Sequence, residues 1–273
     1  MQPDEPYQLP PEFRQQPLSA GVLEDYALCP RKFLLSFFVS REEERRFRGG
    51  PAALHQAVRR ALLDCYDRGG PPETDAQLVR DSFEAHWQGD LCADSVEEEQ
   101  LHEQGLRMLQ DYHGDHRDQP VAVLATDRRF ETVIEGQAFV AVADVVLADQ
   151  DAAGRGSGLG PRPARLIRFV TSRRPLTAEQ LSEDLSAQLL WLLAQEHDWA
   201  VGEPSHMVPQ VLFYALRKRA AHEVALSPER LAYLRRELAS QAARLYREHE
   251  FAPVKGKYCR WCRVRSRCPL WRR

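Results

Sequence analysis

Cys29 stands in DYALCPRKF near the N-terminus, and Cys259, Cys262 and Cys268 crowd the last fifteen residues as Cys-x2-Cys-x5-Cys within YCRWCRVRSRCPLW. Thiolates two residues apart can grip one metal centre, because the intervening turn brings both sulfurs to the same side. A fourth thiolate from the other end of the chain would make that centre a clip joining the two ends. Four-thiolate sites serve zinc as well as iron–sulfur clusters, so the spacing does not choose between them. Two further cysteines, Cys65 and Cys92, lie outside the pattern, and Cys65 falls on an apolar helical face that suits core packing.

A second set of reactive side chains lies in the middle of the chain. His55 sits near the start of a helical pattern in GGPAALHQAVRRAL, and Asp144 interrupts the apolar run VAVADVVLA. A carboxylate placed among Ala and Val is costly to bury without a cation. Asp144 is therefore a metal ligand, half of an ion pair, or an acid at a strand edge facing water.

These groups belong to an ordinary globular composition. The chain has 273 residues, 43% hydrophobic and 28% charged, with a formal net charge of −3. That length suits one large domain or two small ones. No apolar run approaches the roughly 20 residues of a membrane span, and MQPDEPYQLPPEFRQQP has no signal-peptide core. The expected location is the cytoplasm, without membrane attachment. Thiols there stay reduced, which argues for metal before disulfide. The net charge gives no reason to expect nucleic acid, but its distribution does. Lys255–Arg273 carries eight Lys or Arg and no acid, and Arg155–Arg174 six Arg and no acid. Such segments can meet phosphate, or form a solvated tail and loop.

The elements that must position these residues follow from periodicity. Residues 1–17 are Pro- and Gln-rich and read as a flexible arm. Ser19 caps a short helix ending at Cys29-Pro30. Apolar residues from Leu54 to Cys65 recur at helical spacing over about 51–66, and two more helices follow through Phe83 and Leu109. VAVLAT, RRFETVI and QAFVAVADVVLA read as three strands, with a turn at Glu135-Gly136. DQDAAGRGSGLGPRP is a loop by composition. After it come strand RLIRFVTS, a helix over 177–197, strand VPQVLFYAL and a helix over 227–249. That order predicts an α/β domain over 18–254 around a mixed sheet, closed by the Cys-rich basic segment 255–273.

LSAGVLEDYALCPRKF and FAPVKGKYCRWCRVRSRCP together resemble the opening and closing motifs of the PD-(D/E)XK nuclease superfamily, in its RecB-like iron–sulfur branch. That branch includes AddB-type helicase–nuclease subunits and CRISPR-associated Fe–S exonucleases. The resemblance implies a restriction-endonuclease-like mixed sheet flanked by helices, its ends stapled by a [4Fe–4S] cluster on Cys29, Cys259, Cys262 and Cys268, with zinc as the other occupant. It also implies His55 as the first active-site motif, with Pro51 where the family prefers Gly. Asp144 stands as the second motif, and Gln188 as the Gln of Gln-x-x-x-Tyr, whose Tyr is replaced by Leu192.

The third motif departs from the family. Asp/Glu-x-Lys should fall on RLIRFVTSRRP, and there Arg168 occupies the acid position and Val170 the lysine position. No acid lies between Asp151 and Glu179, and no lysine from Phe33 to Arg217, so no shift of register restores the motif. Mg²⁺ or Mn²⁺ is implied only if the site still cuts. Arg168 is expected to lie where a metal would sit and to pair with Asp144; the duller expectation sends it to solvent or phosphate.

Three functions compete. The leading expectation is a catalytically degenerate platform that binds single-stranded or end-containing DNA, or a helicase or other DNA-processing protein. Lys255, Lys257, Arg260, Trp261, Arg263 and Arg265 are its candidate DNA contacts, although the aromatics at Tyr258, Trp261 and Trp271 could equally pack around the cluster. The second is an active nuclease whose groups have moved to Glu131, Glu183, Asp184 or Lys218. The third is a protein scaffold with no nucleic-acid role.

Overall fold

The computed structural model describes residues 9–38, 41–148, 163–197 and 208–271. The composition-based loop up to Arg162, with its part of the basic stretch, lies outside the described residues, as do the first eight residues of the arm and Arg272–Arg273. In chain order the helices are α1 (Ala20–Leu28), α2 (Pro30–Ser36), α3 (Arg41–Tyr66), α4 (Ala76–His86), α5 (Ser95–His116), α6 (Ala178–Glu183), α7 (Leu185–Glu196) and α8 (Pro228–Arg247). The strands are β1 (Ala122–Ile134), β2 (Gln137–Ala148), β3 (Pro163–Val170), β4 (Val208–Ala215) and β5 (Ala220–Val224). They form two compact units. One comprises Met1–Phe47, Glu131–Val140 and Ser227–Arg273; the other comprises Arg48–Phe130 and Ala141–Leu226. No helix among the described residues is long and apolar enough to cross a membrane.

In the first unit, the Ser19 hydroxyl accepts from the Val22 amide at 3.4 Å and opens α1. The helix stops at Cys29, which opens α2: Pro30 brings no amide needing a partner, and the Cys29 sulfur accepts from the Lys32 amide at 3.4 Å. Phe33 of α2 packs edge-on against Phe13, Tyr26 and Phe37. Phe13, on a short 3-10 turn, is 3% exposed, and the area buried by its ring offsets the entropy of ordering the turn. Leu18 then bridges to the hairpin, its amide donating to Ala138 and its carbonyl accepting from Val140, both at 2.9 Å.

In the second unit, α3 is interrupted at Gly49, whose φ of 68° belongs to the left-handed region that glycine enters without strain. Pro51 then begins the run that buries Leu54, Ala57, Val58, Ala61 and Leu62. Val79 and Phe83 of α4 and Leu101, Met108 and Leu109 of α5 complete a core with Val145, Leu147, Ile167, Phe169 and Tyr214 from the sheet. Asp75 and Asp94 cap α4 and α5 through the Leu78 and Glu97 amides.

The sheet runs β1-β2-β3-β4-β5. β2 and β3 are antiparallel, with Val145 opposite Ile167; β3 and β4 are parallel, with Ile167 opposite Leu212; β4 and β5 are antiparallel. The parallel step requires a crossover, which α6 and α7 supply. Glu135 and Gly136 both have positive φ, 48° and 81°, as a tight hairpin between twisted strands demands.

Two expectations about elements are corrected, and one strand is added. VAVLAT and RRFETVI fall in one strand, which continues through Asp127 although that residue takes a positive φ of 49°. The helix over 177–197 is broken at Asp184, whose carboxylate accepts from the Ala187 amide at 2.9 Å and starts α7 anew. β5 was not foreseen: AAHEV has little strand propensity and is held by pairing with β4.

At Gly105 of α5 a Cβ would lie 2.5 Å from Phe83 Cζ and 3.0 Å from Leu54 Cδ1, so α5 approaches α3 and α4 only because that residue has no side chain. Gly105→Ala should therefore destabilise the protein by about 1–3 kcal/mol despite its gain in helix propensity. Denaturant unfolding would show it, and an unchanged or raised midpoint would contradict the packing.

Candidate functional site

Asp144 is the centre of the second unit's polar site. Its side chain is 0% exposed, and both oxygens are engaged. Oδ1 accepts from Arg59 Nε at 2.6 Å, and Oδ2 accepts from the Phe169 amide at 2.7 Å. Arg59 also reaches Asp127, the left-handed residue of β1. Arg168 lies near the same carboxylate, with Nη1 3.7 Å from Oδ1, but its short hydrogen bond at 2.7 Å goes to the Val142 carbonyl. The pairing foreseen for Arg168 is thus shared, and Arg59 makes the closer contact. Arg59 was missed. Its one available signal was position, a single turn beyond His55 on the same helix.

His55 donates or accepts at Nδ1 with the Thr171 hydroxyl, 3.2 Å away at the end of β3. Burial pushes its pKa below the ordinary value; the Asp144 carboxylate opposes this, and Arg168 and Arg59 add to it. The imidazole is therefore neutral at physiological pH. His55, Arg168, Val170, Thr171, Arg173 and Arg217 line a cleft of about 700 Å³. Arg217 donates from Nε to the Thr171 carbonyl at 2.7 Å and from Nη1 to Gln104 Oε1 at 2.6 Å. Glu97 is the one carboxylate residue of the lining, and its Oε2 accepts from the Ala93 amide at 2.7 Å.

The structure thus brings His55, Asp144, Arg168 and Val170 to one place. Gln188 is not in the cleft lining: it is fully buried, and its amide donates to the Ser182 carbonyl at 2.5 Å across the break between α6 and α7. Of the alternative catalytic groups, Asp184 is spent as a cap, Lys218 is exposed, and Glu131 belongs to the other unit.

The first unit has its own site. Cys29, Cys259, Cys262 and Cys268 line one largely apolar cavity of about 320 Å³. Amide hydrogens are aimed at two of the sulfurs: Lys32 and Val254 donate to Cys29, and Gly256 to Cys259, all at 3.4 Å. Burial pushes the Cys262 thiol up, with Cys29 and Cys268 contributing as neighbours. Among the described residues no three Cys, His, Asp or Glu converge on one ion position, although the four cysteines line the same cavity.

Around that cavity the cations and aromatics alternate. Arg260 lies 3.5 Å from the centre of the Trp261 ring, and Arg265 4.3 Å from that of Trp271. Lys257 covers Tyr258, while Lys255 is placed over Trp271. Trp261 is 66% exposed, so its ring is not used up in packing. Arg263 turns inward towards Asp25, at 3.8 Å.

A mixed five-stranded sheet flanked by helices, with a histidine from a helix beside an acid from the second strand, is consistent with a restriction-endonuclease-like fold. The sequence model of the PD-(D/E)XK nuclease superfamily matches residues 17–269, and the chain belongs to that superfamily. No curated protein matches the chain at a significant level.

Two expectations test this geometry. Arg59→Met leaves a buried carboxylate without its main cation and should cost about 3–5 kcal/mol, of which adding Asp144→Asn restores a large part. Simple additivity in that double-mutant cycle would mean the two are not coupled. For His55 the folded pKa lies below the unfolded value of 6.5, so the unfolded chain binds more protons. Its contribution is complete above about pH 6.5 and is lost as pH falls towards the folded pKa. His55→Gln should flatten that stretch of the stability profile; an unaltered slope would place the titration elsewhere.

Proposed function

We propose that this chain is a RecB-like member of the superfamily that holds an iron–sulfur cluster, has lost cleavage, and serves as a platform for single-stranded or end-containing DNA within a DNA-processing assembly. The observation that carries this reading is the state of Asp144. A catalytic metal needs a carboxylate with free lone pairs and a second acid beside it. Here one oxygen faces a guanidinium and the other a backbone amide, and Arg168 stands at the second acid's position. Val170 offers no amine to orient a water.

For the cluster, the donor set fits: four cysteines lining one largely apolar cavity, with amide hydrogens directed at two of the sulfurs, suit thiolate ligation. Four thiolates also suit zinc, and the choice of an iron–sulfur cluster rests on the likeness of the two cysteine motifs to those of the RecB-like branch. Cys29, Cys259, Cys262 and Cys268 would hold it, and its contribution is structural, joining the ends of the first unit. The exposed Trp261 with Arg260 stacked on it offers a base-stacking and phosphate-contacting surface, where a helicase or other DNA-processing partner could also engage.

Anaerobically purified protein should contain iron and sulfide, with visible absorbance that Cys262→Ala abolishes. It should leave end-labelled single-stranded DNA intact in Mn²⁺ while binding it with an affinity that falls steeply with salt. Cleavage abolished by Asp144→Ala would overturn the loss of activity, zinc in place of iron the cluster, and salt-independent or absent binding the DNA platform.

A further inference from the structure

We propose that the cleft at the carboxyl end of β3 is an anion site that takes a phosphate group of a nucleic acid through guanidinium groups and without a divalent metal. The inference rests on the reading of the site as non-cutting and goes beyond it by naming the ligand group and the residues that hold it.

The arginines in the cleft lining, and Arg59 next to it, are of two kinds. Arg59 and Arg168 are committed to Asp144, and Arg59 to Asp127 as well. Arg173 and Arg217 are not committed in this way. Among the described residues neither forms an ion pair, and the hydrogen bonds of Arg217 go to neutral oxygens of Thr171 and Gln104. Burial, with Arg173 nearby, lowers the pKa of Arg217, so the two cations stand close enough to repel. Glu97 is the counter-charge of the lining, and one of its oxygens is already held by the Ala93 amide. A neutral His55 adds no charge. A dication entering here meets three guanidinium groups; an anion is the complementary guest.

Chemistry and size narrow that anion. Planar guanidinium groups match phosphate oxygens two at a time; Thr171 and Ser172 also line the cleft, but their hydroxyls are held by His55 and by the Arg174 backbone, which leaves the anion to the arginines. The volume of about 700 Å³ admits a nucleotide-sized group. A terminal phosphate and an internal phosphodiester share this chemistry.

The test uses the full chain in EDTA, with an end-phosphorylated single-stranded oligonucleotide, its end-hydroxyl counterpart, and inorganic phosphate as competitor. Arg173 is exposed and has no internal partner among the described residues, so Arg173→Gln should leave the fold intact, as circular dichroism would check. Arg173→Gln is expected to weaken binding roughly tenfold, Arg173→Gln with Arg217→Gln further, and Arg173→Lys much less. Preference for the phosphorylated end, competed by inorganic phosphate, identifies a terminal phosphate as ligand; equal and equally sensitive binding of both oligonucleotides identifies a phosphodiester. Binding that requires a divalent metal, is absent in EDTA, or is indifferent to Arg173→Gln overturns the proposal. Indifference in a protein that still does not cleave removes this site alone, whereas cleavage in Mn²⁺ removes the reading beneath it.

Discussion

The second unit is organised around a carboxylate that cannot be left uncompensated. Asp144 has no solvent to share its charge, and an isolated ion in such surroundings would protonate or unfold its neighbourhood. Arg59 ties the carboxylate to α3, and the Phe169 amide ties it to the end of β3. The same helix carries His55 to Thr171 in the segment after β3. One buried charge thus fixes the angle and depth of α3 against two strands, and with them the wall of the cleft. The apolar core beneath, from Leu54 to Leu62, supplies area but would tolerate small shifts of register that the ion pair does not.

Much of this was legible in the sequence where pattern and local chemistry agree. The buried face of α3, the Glu135-Gly136 turn and the cap at Ser19 all follow from residue types at fixed offsets. Asp144 stood out because it interrupts an apolar strand. Arg59 did not, since Arg59 and Arg60 are adjacent and look alike in sequence. Arg60 makes an ordinary surface pair with Asp64 one turn on, and nothing local says that its neighbour turns inward. Asp127 misled for a related reason. An Asp between two apolar runs usually marks a turn, and here it is a left-handed residue inside one strand, paired with the very arginine that was missed. Both errors have one cause, an ion pair between elements far apart in the chain. Gln188, a motif match at the right spacing, also donates to the Ser182 carbonyl at the joint between α6 and α7.

In the first unit the cysteines were legible as a group, and the supporting amides were not. Spacing predicts which sulfurs can meet; it does not predict that Cys29 will sit at a helix joint with two backbone amides aimed at it. That arrangement follows from Cys29-Pro30, where one helix must stop and the next begins with a residue lacking an amide hydrogen. The sulfur occupies the cap position that Ser or Asp would fill elsewhere. The aromatics separate on exposure: Phe33 is core, while Trp261 keeps two-thirds of its surface in water beneath a stacked arginine.

A metal in a nuclease site does two things at once. It attracts and neutralises phosphate, and it acidifies a bound water into a nucleophile. A guanidinium can do only the first. It remains charged at every accessible pH, binds oxygen anions through fixed donors, and has no coordination position at which water could lose a proton. Replacing a metal-binding acid by arginine therefore divides the two roles: it keeps attraction for the phosphate backbone and discards activation of water. In the proposed reading, Arg168 against Asp144, with Arg173 and Arg217 in the same cleft, follows that division. His55 lines the same cleft with Nδ1 3.2 Å from the Thr171 hydroxyl, and as a neutral imidazole it adds no charge to the guanidinium groups around it.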